Sequence, residues 1–278
     1  MSAIVVSQLH MYPVKSCAGT PLEVACLDAR GVVHDREFMV VDAAGDFLTQ
    51  REAPRLALIV PSRSDDRLEL GAPGMPPFRL APVTVGEATP VRVWRDHVAA
   101  VDQGELIAEW LGDFLRLSCR LVRQADNAIR HVDPEYATKP DDQVGFADGY
   151  PLLLLSEESL ADLNRRLTEP LPMNRFRPNV VVRGSGEPYA EDCWSRIRIG
   201  EVECSVVKAC ARCVTTTTDQ LTAERKAEPL VTLATYRRVP RGVLFGQNLI
   251  HHAPGVLRVG NTVHVLARRR NVAATSGG

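Results

Sequence analysis

The stretch VECSVVKACARCVTTTTD, residues 202–219, decides between two classes of fold. Its first half is rich in valine and alternates with polar residues, a pattern typical of a β-strand. Cys210 and Cys213 follow, and a β-branched run of one valine and four threonines comes directly after them. A thioredoxin-like C-x-x-C motif stands at the start of a helix, which a β-branched run disfavours. The stretch therefore favours a strand-rich fold over a thioredoxin-like one.

Length and charge limit the classes of function. The chain has 278 residues, 45% of them hydrophobic, and a formal net charge of −1. This length predicts two domains, and the balanced charge argues against binding to nucleic acid or to a membrane surface. The N-terminus does not resemble a signal peptide, and no apolar run is long enough to span a membrane. Seven scattered cysteines fit a reduced, cytoplasmic protein.

The first third of the chain reads as short strands. Apolar or alternating runs are interrupted there by Gly, Pro and Asp, as in an antiparallel sheet. Asp102 and Glu105 have the spacing of a capping box, and the helix after them should bury Leu106, Trp110 and Phe114 on one face. Strands with one early helix predict barrels or sandwiches with helices attached.

The polar segment 125–147 contains prolines and shows no hydrophobic period, so it is either a domain junction or a long binding loop. We place the domain boundary near its start, which predicts domains at 1–122 and 123–270 and a flexible tail at 271–278. Beyond the segment, the run YPLLLL predicts a buried strand, and Ser156 is suited to cap the helix that follows.

The two cysteines of the opening stretch allow four interpretations. A redox dithiol would use both cysteines, but the β-branched run after Cys213 disfavours the helix that normally follows such a pair. A zinc site needs two further ligands, and the spacing of Cys193 and Cys204 is wrong for them. Two packed thiols are the third interpretation. The fourth is a reactive or metal-bound thiolate, because Arg212 would favour the anion and a thiolate suits a soft metal centre.

Cationic and polar side chains recur where predicted strands begin or end. Such donors are what an anionic ligand rich in hydrogen-bond acceptors requires, although each one alone could simply be solvated or paired. The residues of this group are Lys15, Ser16, Arg36, Asp148, Gly149, Arg177 and Asn179.

Taken in order, these stretches resemble one known family. The motifs are YPVKSC, DREFMVVD, TQREAPRLALI, SEESLADLN, NRFRPNVVV, CARCVTTTTD and LFGQN. Together they resemble MOSC-domain proteins preceded by an N-terminal MOSC β-barrel domain, the group that includes the mitochondrial amidoxime-reducing components and bacterial relatives. The resemblance runs from about residue 3 to residue 266. It implies an α+β, β-rich fold in which an N-terminal β-barrel-like domain packs on a MOSC β-barrel domain with a few attached helices.

The resemblance also implies a ligand, the molybdenum-pyranopterin cofactor (Mo-molybdopterin). It places the metal ligand and catalytic residue at Cys213 and leaves Cys210 as a neighbour. The residues that it assigns to cofactor binding are Lys15, Ser16, Arg36, Asp148, Gly149, Tyr150, Arg177, Asn179 and Arg212. Relatives carry small hydroxyl residues where this chain has Gly149 and Tyr150, so backbone amides would have to replace those side chains.

The implied activity is reduction of N-hydroxylated compounds, namely amidoximes, hydroxylamines and N-hydroxylated bases. No cysteine follows Cys213, so we expect the electrons to come from a separate protein, a ferredoxin or a flavoprotein reductase. We expect no nucleic-acid or membrane partner. The alternative function is a carrier that binds the molybdenum cofactor or passes on sulfur as a Cys213 persulfide.

Overall fold

The computed structural model describes residues 3–269, so the tail predicted at 271–278 lies outside the described residues. Strands predominate over helices in this part of the chain, which confirms the β-rich class. The helices are α1 (Glu105–Leu115), α2 (Glu157–Arg166) and α3 (Leu230–Ala234). The strands are β1 (Val5–Met11), β2 (Thr20–Leu22), β3 (Val24–Asp28), β4 (Gly31–Val32), β5 (Phe38–Val41), β6 (Val60–Ser64), β7 (Arg67–Gly71), β8 (Phe78–Leu80), β9 (Ala88–Val93), β10 (Asp96–Asp102), β11 (Arg120–Gln124), β12 (Leu152–Ser156), β13 (Val180–Arg183), β14 (Trp194–Ile199), β15 (Val202–Arg212), β16 (Arg238–Val239), β17 (Gly242–His251), β18 (Gly255–Arg258) and β19 (Val263–Arg268).

The largest sheet joins the two ends of the chain. Its strand order is β19-β14-β15-β17-β12-β13-β1-β2, with β16 paired to β17. Val180 lies between Leu9 of the antiparallel β1 and Leu154 of the parallel β12, and all three side chains are buried. The N-terminal strand is therefore part of the sheet that carries the cysteine segment on β15.

Smaller sheets hold most of the N-terminal half. They have the orders β5-β11-β10-β9 and β6-β7-β8, and a third sheet pairs β18 with β3 and β4. Strand pairing through β1 and β18 thus crosses the boundary expected near residue 122. The division at that residue stays a prediction about the chain, because two of the four sheets contain strands from both sides of it.

Two large clusters of buried side chains correspond to these sheets. One lies against the largest sheet and includes Trp194 and Ile197; the other lies between α1 and the smaller sheets and includes Phe38 and Phe114. In β15 the burial alternates over Val202–Val206, as the opening stretch predicted. The loops at the ends of these strands are therefore attached to buried strands of the core.

The cap predicted for α1 is wrong. The helix begins after Gly104, whose φ is +99°, and Asp102 Oδ1 accepts a hydrogen bond from the Gly104 backbone N–H at 2.7 Å. The Asp102 carboxylate also pairs with Arg120 on the neighbouring strand. The capping-box spacing was present, but the strand partner Arg120 holds the carboxylate away from the helix.

The apolar face of α1 is also displaced by one residue from the prediction. Leu106 is 72% exposed, whereas Trp110 and Phe114 are buried together with Ile107 and Leu111. Successive helical residues are rotated by about 100° around the axis. When Ile107 and Leu111 face the core, Leu106 therefore faces solvent. By contrast, the cap of α2 is confirmed, because Ser156 Oγ accepts a hydrogen bond from Ser159 N–H at 3.1 Å.

One predicted strand begins later than expected. The stretch RLALIVPS was expected to be extended, but Pro54–Leu58 form a 3₁₀ turn and β6 begins only at Val60. Proline suits the first turn of a helix because its nitrogen has no hydrogen to leave unpaired.

Candidate functional site

One cavity collects every residue that the sequence assigned to the site. Its volume is about 280 Å³, and it is lined by the loop after β1, the loops before β12 and β13, and the end of β15 with the residue that follows. The predicted residues in its wall are Lys15, Ser16, Arg36, Asp148, Gly149, Tyr150, Arg177, Asn179, Arg212 and Cys213. Residues far apart in sequence thus share one concave surface, which is typical of a small-molecule site.

Cys213 stands where the longest strand stops. Its backbone is still extended, with φ −116° and ψ 177°, and a single 3₁₀ turn follows over Val214–Thr217. Thr216 donates to the Cys213 carbonyl from its backbone nitrogen at 3.1 Å and from its hydroxyl at 2.9 Å. The threonines therefore hold the main chain of Cys213, while its thiol is exposed in the cavity wall.

Arg212 contacts Cys210 and not Cys213. Its Nη1 donates to Cys210 Sγ at 2.9 Å, and its Nη2 donates to the Phe176 carbonyl at 2.7 Å. All seven cysteines are free thiols. Within residues 3–269, no group of three or more His, Cys, Asp or Glu side chains is placed to hold a metal ion. A zinc site built from protein ligands alone therefore lacks its donors in the described part of the chain.

Lys15 and Asp148 form the charged centre of one wall. Lys15 Nζ donates to Asp148 Oδ1 at 2.6 Å and to the Phe146 carbonyl at 2.8 Å. Burial lowers the pKa of Lys15, and the Asp148 carboxylate offsets part of that shift. Desolvation opposes the charge on Asp148, but the Lys15 ammonium outweighs it and holds the pKa of Asp148 below its ordinary value. The contact between ammonium and carboxylate thus favours the charged form of each group.

The Tyr12 ring contacts two arginines of the cavity wall. Its ring centroid lies 4.2 Å from Arg36 Cζ and 4.4 Å from Arg177 Cζ, and its hydroxyl donates to the Pro178 carbonyl at 3.1 Å. Burial raises the pKa of Tyr12 to about 12. Burial, with the charge of Arg36, lowers the pKa of Arg177 to about 10. Arg177 remains charged at neutral pH, and cation–π contacts with the Tyr12 ring hold the two guanidinium groups close together despite their repulsion.

Asn179 supports the site through contacts within the protein. Its Oδ1 accepts from Arg36 Nη1 and from the Leu153 backbone N–H, both at 3.2 Å. Its Nδ2 donates to the His10 carbonyl at 3.2 Å. Asn179 therefore positions Arg36 between β1 and β12.

Two guanidinium groups in the wall have unused donors. Among the described residues, the buried atoms Arg177 Nη2 and Arg212 Nε have no hydrogen-bond partner. A buried donor at a charged group costs about 1–3 kcal/mol or more when it stays unpaired. The cavity is therefore suited to a ligand that brings anionic or carbonyl oxygens to these two nitrogens.

Comparison with known proteins identifies the family. Residues 3–118 match the MOSC N-terminal beta barrel domain, and residues 141–264 match the MOSC domain. Mitochondrial amidoxime-reducing component 1 of Mus musculus is 38% identical over 95% of this chain and 82% of its own length. The human component 1 is 36% identical over 95% of this chain and 83% of its own. The chain belongs to this family.

Membership of the amidoxime-reducing component family confirms the resemblance and the fold class inferred from sequence. Component 2 of Rattus norvegicus is 36% identical over 93% of this chain and 82% of its own length. Among solved structures, the YUAD protein from Bacillus subtilis aligns over 94% of both chains, with a TM-score of 0.42 and 10% identity. That likeness is too low to support any inference about function. In residues 3–269, no helix is both long and apolar enough to cross a membrane.

Gly149 and Tyr150 lie at the positions where the resemblance implies small hydroxyl residues. An ideal Cβ built on Gly149 has no atom within 4 Å, so the space around this backbone is open. Tyr150 packs edge-on against Tyr136 at 6.0 Å between ring centroids, and burial raises its pKa. The phenol is neutral, and the backbone at Gly149 is left accessible to a bound group.

Sequence reasoning missed several residues of the wall as site residues. They include Thr49, Arg51 and Asn248. Thr49 and Arg51 lie within the motif TQREAPRLALI, which was quoted for the resemblance without a role being given to either residue. Neither residue begins or ends a strand, so the sequence signal that marked the other polar residues does not mark these two.

Proposed function

We propose that the protein is a molybdenum-cofactor-dependent reductase of N-hydroxylated compounds, with the pyranopterin cofactor bound in the cavity lined by Cys213. One observation carries this proposal: the buried donors Arg177 Nη2 and Arg212 Nε lack partners in the same wall as an exposed cysteine. A cofactor with phosphate, pterin and sulfur groups would satisfy that combination of donors. The relatives are named as amidoxime-reducing components, and that name supplies the reaction class.

Five wall residues have a role in this proposal. Cys213 Sγ would be the protein ligand of the metal, since a thiolate suits a metal already held by sulfur. Arg177 and Arg212 would bind the anionic and carbonyl oxygens of the cofactor. Lys15 would neutralise negative charge near its phosphate, with Asp148 holding the ammonium in place. When bound, the cofactor supplies the two-electron chemistry, and the protein supplies position and electrostatics.

The overall reaction takes up two electrons and two protons, breaks the N–O bond and releases an amidine or amine with one molecule of water. We propose that a separate redox protein, a ferredoxin or a flavoprotein reductase, supplies the electrons. The polar wall of the cavity is exposed to water on one side, so protons can reach the substrate from solvent. A cytoplasmic location stays a prediction, and the names of the relatives are mitochondrial.

Metal and pterin content tests the proposal first. Wild type, Cys213→Ser and Cys210→Ser would be produced in a molybdate-fed host that makes the cofactor. Molybdenum would be measured by plasma mass spectrometry and pterin by fluorescence after oxidation. We expect near-stoichiometric molybdenum in wild type and in Cys210→Ser, and loss of the metal in Cys213→Ser. Retention of metal in Cys213→Ser with loss in Cys210→Ser would show that the ligand assignment is wrong.

Turnover then separates a reductase from a carrier. Loaded wild-type protein would be assayed with benzamidoxime and a chemical reductant, and the amidine product quantified by chromatography. A reductase forms amidine at a rate that depends on Cys213. A cofactor carrier would hold the metal and pterin but form no amidine, and would release the cofactor to an apo-enzyme acceptor.

A further inference from the structure

A second and larger cavity adjoins the one that contains Cys213. Its volume is about 1110 Å³. The two cavities share a neck of five wall residues: Arg51, Asp148, Gly149, Tyr150 and Lys208. A small molecule in the larger cavity could therefore place one end in the smaller one while most of it lies outside.

Trp94 stands in the wall of the larger cavity in an unusual conformation. It occupies the turn between β9 and β10 with φ +57°, and its side chain is among the exposed large hydrophobic groups at 41%. A left-handed backbone at a bulky residue is rare and persists only where the surroundings impose it. Turns of this kind usually carry Gly, Asn or Asp, so the tryptophan at this position needs a reason.

Three neighbours fix the orientation of the indole ring. Its Nε1 donates to Asp148 Oδ1 at 3.2 Å, which ties it to the carboxylate that holds Lys15. Arg51 Cζ lies 4.3 Å from its ring centroid, and the Phe47 ring lies at 5.2 Å with a tilt of 53°. The ring is thus both exposed and rigid, which makes it a ready surface for another flat group.

The neck between the cavities is positively charged. Arg51 and Lys208 form no ion pair with any carboxylate in residues 3–269, whereas the Asp148 carboxylate is already held by Lys15. The other cations in the wall of the larger cavity have carboxylate partners. These pairs are Arg92–Asp46, Arg95–Asp133 and Arg130–Asp96. An anionic substituent is therefore favoured over a cationic one near Arg51 and Lys208.

We infer that Trp94 is a specificity-determining residue: its ring is the platform for the flat aromatic part of an N-hydroxylated substrate. Arg51 and Lys208 then favour substrates whose ring carries a negatively charged group. The reacting N–O group would extend through the neck toward Cys213. The N-hydroxylated part of this assignment rests on the function proposed above; the aromatic and anionic parts rest on Trp94 and the neck alone.

Binding tests the inference without any turnover. The holoenzyme would be titrated with 4-carboxybenzamidoxime while tryptophan fluorescence is followed. Trp110 and Trp194 are buried, so quenching by a stacked ligand should come from Trp94. Calorimetry on Trp94→Leu should show a Kd raised about tenfold, and Trp94→Phe a smaller rise, because stacking and aromatic area are lost stepwise. Arg51→Gln should weaken the binding of 4-carboxybenzamidoxime more than the binding of 4-amidinobenzamidoxime, which is positively charged.

Matched controls are available on distant surfaces. Leu106→Ala removes another exposed apolar side chain, and Arg79→Gln removes another exposed arginine; neither should change Kd. Thermal melting of each variant would confirm folding. No saturable binding by wild type, or equal Kd for wild type, Trp94→Phe and Trp94→Leu, would overturn the inference.

Turnover distinguishes this inference from the proposed function. With loaded enzyme, Trp94→Leu should raise KM about tenfold for benzamidoxime and leave acetamidoxime, which has no ring, nearly unchanged. An equal loss for both substrates would overturn the role of Trp94 while leaving the reductase intact. Trp94-dependent binding of the aryl ligand without any reduction would support the platform and count against the proposed function.

Discussion

Lys15 Nζ lies 2.6 Å from Asp148 Oδ1 and joins two loops that are 133 residues apart in the sequence. The lysine side chain is 6% exposed, whereas 73% of the aspartate side chain is accessible from the cavity. The contact therefore joins a buried side chain to one that solvent in the cavity can reach. It links the first loop after β1 to the turn before β12, so it contributes both to the stability of the empty site and to the charge that a ligand meets.

The Lys15–Asp148 pair should be stronger than an ordinary surface pair. A double-mutant cycle with Lys15→Met and Asp148→Asn, measured by urea unfolding of cofactor-free protein at pH 7, should give a coupling free energy of about 1 kcal/mol. Burial of one partner supports this value, and access of water to the other limits it. The exposed pair Arg79–Glu69 is the control and should couple less. Equal coupling in the two cycles would contradict the expectation.

Gly149→Ala should separate protein stability from ligand binding. No atom lies within 4 Å of the Cβ that would be added, so the cofactor-free protein should be as stable as wild type or up to about 1 kcal/mol more stable. If the cofactor approaches this backbone, molybdenum and pterin content should fall. Gly246→Ala is the opposite control, because φ is +88° and Leu155 Cδ1 lies 2.7 Å from the added atom. That variant should unfold at lower urea whatever it binds.

Arg177 should matter more for the ligand than for the fold. Arg177→Met removes a buried cation with an unused donor, whereas Arg237→Met breaks the buried pair between Arg237 and Asp192. We expect cofactor content to fall in Arg177→Met, while the cofactor-free protein should lose only about 1 kcal/mol of unfolding free energy, because Arg177 Nη1 also donates to the Cys17 carbonyl. Arg237→Met should instead lose about 3 kcal/mol of unfolding free energy. Comparable losses of stability in both variants would show that Arg177 is mainly structural.

Glu37 should dominate the acid sensitivity of the N-terminal half. Its carboxylate accepts hydrogen bonds from His34, Arg63 and Arg123. Burial opposes its charge, but these partners outweigh burial and lower the pKa of Glu37 from 4.5 to about 2. Because the pKa is lower in the folded state, the stabilisation is present above the unfolded pKa and is lost as pH falls toward 2. The difference corresponds to about 3 kcal/mol.

Unfolding free energies measured at several pH values would check the pH-dependent stabilisation by Glu37. Glu37→Gln should be less stable than wild type by several kcal/mol at pH 6, and the gap should narrow by about 2 kcal/mol at pH 3. Glu69→Gln, in an exposed pair, should follow the wild-type curve. A gap that does not change between pH 6 and pH 3 would mean that the stabilisation by Glu37 does not depend on its ionisation.

Local signals in the sequence were sufficient for many of the individual elements. The β-branched run after Cys213 argued against an α-helix there, where only one 3₁₀ turn forms. Ser156 marked the start of α2, because such preferences act between neighbours in the chain. Ordered motifs identified the family and led to ten residues that lie in one cavity. Where a distant residue competed for a side chain, as Arg120 does for Asp102, the local signal failed.

Only the tertiary structure decided which of these residues meet and which are available to a ligand. Asn179 and Arg177 are two residues apart, yet the hydrogen-bonding atoms of the Asn179 side chain are used within the protein, whereas Arg177 keeps a buried donor unused. Trp94 has no sequence signal at all, because the role proposed for it depends on a left-handed turn and on its contacts with Arg51 and Asp148. Strand pairing over long sequence separations sets these contacts, and local propensity does not encode it.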